Sequence, residues 1–197
     1  SYLVEGGKSR DFLKTKKLMY AEPETWNLLM SKLSEVVRRY LHKQIDAGAD
    51  AVQLFDSWVV QLGPADYAEY VQPHVAHILK DVEKRGVPVI HFGVGTQSLL
   101  PLMRDAGGTV LGLDWRTPIA ETWAKIGYDR GVQGNMDSTV LFAPRKVAEK
   151  HAQRVLDDAG GRPGHIFNLG HGILPETPVE TVQAVVDYVH EASAKKV

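Results

Sequence analysis

The sequence predicts an α/β fold, the C-terminal portion of a TIM-like (β/α)8 barrel with about five β/α units present. Three observations carry that reading: apolar runs alternate with helical patterns, polar residues gather at the end of each run, and the runs stop at five. The runs are "AVQLFD" (51–56), "PVIHFG" (88–93), "TVLGLDW" (109–115), "GVQGNM" (131–136) and "HIFNLG" (165–170). Each is rich in β-branched or aromatic residues and bounded by glycine or proline, which suits buried parallel strands. Strict alternation with helices then argues for a parallel sheet covered by its own crossovers.

The elements follow in order. "WNLLMSKLSEVVRRYLHKQI" (26–45) carries apolar residues at helical spacing and is stopped by "AGAD". "ADYAEYVQPHVAHILKDVEKRG" (65–86) reads as one helix closing on basic residues and Gly86. Shorter helical units fit 94–108 and 116–127, and longer ones 143–161 and 179–193. Thr177, Pro178 and Glu180 read as N-cap, N1 and N3 of the last helix. The opening "SYLVEGGKSRDF" has no methionine and reaches an apolar "YLV" at once, like the inside of an element.

Polar groups cluster where each strand should end: Asp56, Ser57 and Trp58, then His91, Asp114 and Trp115, Asn135 and Asp137, Asn168 and His171. A barrel builds its active site from those ends, whereas an open doubly wound sheet gathers ligands at one switch point. Polar residues at all five ends favour the barrel. Five strands are too few to close one, since a barrel commonly needs ~250 residues and an open arc leaves two unpaired edges. Residues 1–197 are therefore expected to be a single domain, the C-terminal part of a larger barrel whose N-terminal part is absent.

Composition excludes several classes. The 197 residues carry a net charge of −1 with no lysine–arginine stripe, so nucleic acid is not an expected partner. No apolar run approaches the roughly 20 residues that span a bilayer, and the first residues do not read as a signal peptide. Cysteine is absent, which removes disulfides, thiolate nucleophiles and zinc–thiolate sites and permits a cytoplasmic location. Neither GxGxxG nor the phosphate-binding GxxxxGKS/T occurs.

"NLGHG" places His171 between two glycines at a strand-to-helix junction, where glycine implies a turn or the close approach of a backbone or ligand. That stretch, with "SYLVEGG" (1–7), "LFDSWVVQLGPADYAEYVQP" (54–73), "LGLDW" (111–115), "VQGNMD" (132–137) and "FNLGHGILPETP" (167–178), resembles the uroporphyrinogen decarboxylase family in order and approximate spacing. The resemblance covers the whole chain but only about the C-terminal half of the family's length. It implies a cofactor-independent carboxy-lyase that turns the acetate arms of uroporphyrinogen III into methyl groups, giving coproporphyrinogen III. Protonating the electron-rich pyrrole gives a cationic ring that accepts the electrons released with carbon dioxide, so the enzyme's work is proton placement and charge stabilisation. The resemblance also implies a cytoplasmic homodimer with uroporphyrinogen as its small-molecule partner, and neither membrane nor nucleic acid.

By the same resemblance, Tyr2, Ser57 and His171 match substrate-contacting positions. Tyr2 would present its phenol to the cleft, Ser57 its hydroxyl to a substrate carboxylate, and His171 a donor to a rim carboxylate, with Gly170 and Gly172 clearing space. No catalytic residue is assigned within this chain, because the family's aspartate and arginines lie upstream of Ser1. The isolated segment is expected to be inactive. Asp114 and Asp137 read more readily as loop braces, and His74 and His77 as helix-surface or packing residues. The run "RKVAEKHAQR" reads as a solvated helix face.

No metal is assigned, although Asp56, His91, Asp114 and Asp137 could in principle offer oxygen and imidazole ligands to a divalent ion. The alternatives are a related corrinoid-type methyltransferase barrel, whose zinc–thiolate site the lack of cysteine forbids, a metal-dependent barrel enzyme, and an inert half-barrel.

Overall fold

The computed structural model describes residues 1–194, which form two compact units, one from Ser1 to Thr109 and one from Val110 onward. Helices α1 (Tyr2–Glu5), α2 (Leu13–Ala21) and α3 (Pro23–Asp46) open the first unit. Strand β1 (Val52–Phe55), helices α4 (Pro64–Tyr70) and α5 (Gln72–Val82), strand β2 (Val89–Phe92) and helix α6 (Leu100–Ala106) complete it. The second unit alternates β3 (Val110–Gly112), α7 (Ile119–Ile126), β4 (Gly131–Gln133), α8 (Arg145–Ala159), β5 (His165–Ile166) and α9 (Val179–Ser193). Short 3-10 turns at Val59–Gln61, Glu83–Arg85 and Ser138–Phe142 join these elements.

All five expected strands are present, and every pairing within a unit is parallel. In the first unit Val52 aligns with Val89 and Phe55 with Phe92. In the second, Val110 aligns with Gly131 and Val132 with His165. The strands are shorter than the apolar runs, because each run also contains the turn that carries the polar residues.

Two helical expectations change. The helix expected over 65–86 is broken at Val71, whose φ of −126° leaves the helical region. Pro73 explains the break: it has no N–H to give to the preceding turn, and its ring crowds the carbonyl four residues back. The cap expected at Thr177 is also replaced, since the last helix starts at Val179 with Pro178 at its N-cap. Thr177 Oγ1 instead accepts the Leu174 N–H at 3.0 Å, bracing the loop before the helix. In the opening segment, Tyr2 begins a one-turn helix.

Each unit buries its own seam. In the first, α3 and α5 are joined by Arg38, which reaches Glu35 at 2.8 Å and Asp81 at 2.6 Å. In the second, Ala148 and Ala152 lie one turn apart on α8 and are fully buried, and Val185 and Val189 of α9 share their cluster with Met136 and Leu141. Small residues at that spacing let two helices approach closely. The rest of "RKVAEKHAQR" is exposed or half-buried.

Candidate active site

In the first unit the site grows from the end of β1. The Asp56 N–H reaches Phe92 O at 2.7 Å, one step beyond the strand, and the chain then turns through Ser57 and Trp58. Ser57 is half-buried, and its hydroxyl makes no hydrogen bond among the described residues, so it is not consumed as a local cap. It lines a cavity of about 210 Å³ together with Asp56, Trp58, Phe12, Lys16 and Trp26. Tyr2 is half-exposed and stands edge-on to Trp58, ring centres 5.9 Å apart, which brings the Tyr2 and Ser57 segments together through that tryptophan.

Beneath Asp56 lies a buried polar group of side chains. His91 is fully buried in β2, with Nε2 3.5 Å from Asp56 Oδ2 and Nδ1 3.4 Å from Met103 O. The Tyr67 hydroxyl is buried without a hydrogen-bond partner among the described residues, and burial, reinforced by the charge of Asp56, pushes its phenol well above the ordinary range. His91 stands out in the sequence as a polar residue inside an apolar run, whereas Tyr67 looks like one more apolar position of an amphipathic helix.

In the second unit His171 is exposed on the loop after β5 and stands edge-on to Trp115 at 6.0 Å. Its flanking glycines have different causes, which corrects the expectation that both clear space for a ligand. A Cβ on Gly170 would sit 2.3 Å from Trp115 N and 2.9 Å from Asp114 C, so that glycine exists to let the protein's own backbone pass. A Cβ on Gly172 would meet nothing within 4 Å. Trp115 also carries the Arg116 guanidinium, 3.9 Å above its ring.

Asp114 and Asp137 of this unit brace loops, as expected from the sequence. Asp114 is buried and accepts the Arg116 N–H at 2.9 Å and the Thr117 hydroxyl at 3.2 Å. Asp137 accepts the N–H and hydroxyl of Thr139 at 2.9 and 2.8 Å, capping the 3-10 turn. Asn135 donates to the carbonyls of Asp114 and Thr117, tying the loop after β4 to the loop after β3. The Asn168 side chain accepts the Leu169 N–H at 2.8 Å, and its backbone carbonyl accepts the Met136 N–H at 3.1 Å. His165 donates to Gly134 O at 2.8 Å, and burial pushes its imidazole down.

In the first unit, His74 and His77 behave as the helix pattern suggests. His74 meets Asn27 and His77 faces Glu35 across the α3–α5 surface, with burial holding the His74 imidazole below its usual range. Among the described residues, no three His, Asp or Glu side chains converge to hold a metal ion. No helix among them is long and apolar enough to cross a membrane.

The family model for uroporphyrinogen decarboxylase (URO-D) matches residues 1–192. Among curated proteins, the chain is 65% identical over 190 residues to the uroporphyrinogen decarboxylase of Sorangium cellulosum, covering 96% of this chain and 54% of that protein. It is 55% identical over 194 residues to a uroporphyrinogen decarboxylase of Thermus thermophilus, covering 98% and 57%. The chain thus spans about half the length of the curated relatives it matches. Among solved structures, a methyltransferase from Methanosarcina mazei superposes with a TM-score of 0.71 at 23% identity, over 82% of this chain and 48% of that one. That likeness supports the fold, a partial TIM-barrel arrangement.

Proposed function

The chain belongs to the uroporphyrinogen decarboxylase family, and we propose that the full-length protein removes carbon dioxide from the acetate arms of uroporphyrinogen III to give coproporphyrinogen III. The observation that carries this reading is the family match across residues 1–192. In each event the bond to the carboxylate breaks, its electron pair enters a pyrrole made cationic by a proton, and carbon dioxide leaves. One proton is consumed overall as CH2–COO⁻ becomes CH3. The chemistry asks for a placed acid and for stabilisation of a transient cation, and for no external electron carrier. The upstream aspartate of the family suits the second task.

This chain supplies substrate contacts. His171 donates to a rim carboxylate, Ser57 offers its free hydroxyl, and Tyr2 presents a phenol beside Trp58. The exposure of His171 and its light engagement, a 3.4 Å approach to Gly172 O, support the assignment, since a donor kept for a ligand is not saturated by the protein. We further place the enzyme in the cytoplasm as a homodimer, on the family resemblance.

The test is steady-state turnover of uroporphyrinogen III by the full-length protein, before and after exhaustive EDTA treatment, with His171→Ala and His171→Asn beside it. The wild type should retain its activity through chelation. A contact to a charged group that binds ground and transition states alike appears in KM. His171→Ala should therefore raise KM roughly ten- to hundredfold, the equivalent of ~1.5–3 kcal/mol, and His171→Asn should raise it less. A shared collapse of kcat would remove the binding role of His171. Activity that is lost on chelation and restored by one divalent ion would favour the metal-enzyme alternative.

A further inference from the structure

Phe12, Thr15, Lys16 and Met19 fall at i, i+3, i+4 and i+7, the spacing of one helical face. All four line the cavity that holds Ser57. Phe12, Thr15 and Met19 are buried, whereas Lys14 and Lys17 of the same basic run are exposed. Lys16 is therefore the one lysine of "LKTKK" turned to the interior face, and it is half-buried there. Its orientation is set by the local backbone. Glu5 Oε1 accepts both the N–H and the hydroxyl of Thr15 at 2.8 Å, stitching α1 to the first turn of α2. Phe12 closes the preceding turn at φ 53° with its N–H on Ser9 Oγ at 3.0 Å.

The Lys16 backbone N–H closes on Phe12 O at 2.9 Å, but its ammonium has no hydrogen-bond or ion-pair partner among the described residues. The one carboxylate in the cavity, Asp56, is directed toward His91. An ammonium half-withdrawn from water without a counter-charge is unfavourable, and a bound anion relieves it. The other walls are largely apolar, with Trp26, Met30, Trp58 and Leu62 among them. The space of about 210 Å³ is smaller than the roughly 300–1,000 Å³ that encloses a drug-sized molecule, so it has room for an arm and not for a ring system. The fitting occupant has an apolar stem and one anionic end.

We propose that this cavity is a subsite for a single carboxylate-ended arm of the substrate, in which Lys16 pairs with the carboxylate, Ser57 adds a hydroxyl, and Lys16 sets specificity for the charged arm. The assignment of the arm to a porphyrinogen rests on the function proposed above.

The experiment uses the full-length protein with coproporphyrin III as the probe and its tetramethyl ester as the uncharged control, binding being followed by tryptophan quenching. The wild type should bind the acid and lose most affinity for the ester. Lys16→Met should weaken the acid about tenfold or more, leave the ester unchanged and raise KM with kcat held within about twofold; Lys16→Arg should recover most of the loss. Thermal melts identify a misfolded variant, in which case Lys16→Gln takes the place of Lys16→Met. Acid binding unaltered in a folded Lys16→Met, an equal loss for acid and ester, or no acid binding by the wild type would each overturn the subsite. A wild type that binds the acid with these dependences but decarboxylates nothing would overturn the proposed function and leave the subsite standing.

Discussion

Gly170 and Gly172 flank the same histidine but answer to different constraints. Adding a methyl at Gly170 forces it into the backbone of Asp114 and Trp115, at distances of 2.9 and 2.3 Å that no side-chain rotation can relieve. Gly170→Ala should destabilise the full-length protein by about 1–3 kcal/mol, as overpacking does. Gly172→Ala meets open space and should stay within about 0.5 kcal/mol of wild type. Paired denaturation curves decide this, and equal stabilities would show that the loop yields freely. The sequence makes it legible that something approaches the backbone at this junction. It does not say what, because the approaching loop lies two β/α units upstream and a spacing rule sees only local periodicity. Lys16 is the converse case. Its i, i+3, i+4, i+7 companions were legible, but the glycines and charges of "EGGKSRD" punctuate the segment and mask the helix behind them.

At the scale of elements, the α3–α5 seam depends on shared cations. The hydrogen bonds of Arg38, then those of Arg39, hold the Glu35 carboxyl at about 2, below its ordinary value of 4.5. His42, then Arg38 and Lys84, hold Asp81 further down. A carboxylate whose folded pKa is depressed contributes stability above its unfolded pKa and loses it as pH falls through the folded value. The contribution of Glu35 is thus complete above about 4.5 and disappears toward about 2. Arg38→Met removes the shared cation and should move the midpoint of acid unfolding upward, read by circular dichroism of the full-length protein. An unmoved midpoint would show that solvent already screens this surface network. Strand positions and the long helices were readable from periodicity, whereas the break at Val71 needed Pro73 to be weighed against an otherwise good helical pattern. The tertiary cap on α7 was beyond any local rule: the Ile119 N–H is taken at 2.6 Å by Asp158 on α8.

At the scale of the whole molecule, β1 of the first unit is paired only with β2, and β5 of the second unit only with β4, among the described residues. Phe55 on β1 and Ile166 on β5 are exposed. Unpaired parallel edges with apolar side chains are templates for association. Residues 1–197 expressed alone should therefore aggregate, while the full-length protein stays dispersed in light scattering; a sharp, reversible melt of the isolated segment would refute this. The fold class was readable because every β/α unit repeats the same pattern, and the site was readable only where polar residues interrupt an apolar run. The contact between Gly170 and the Asp114–Trp115 backbone has a consequence for protein engineering. Active-site loops of barrels are often treated as independent cassettes, but here the loop after β5 is moulded against the loop after β3, and Asn135 fastens the loop after β4 to that same segment. A transplant that brings only one of them into another barrel would import a surface shaped for an absent neighbour, so the three loops form one unit of exchange.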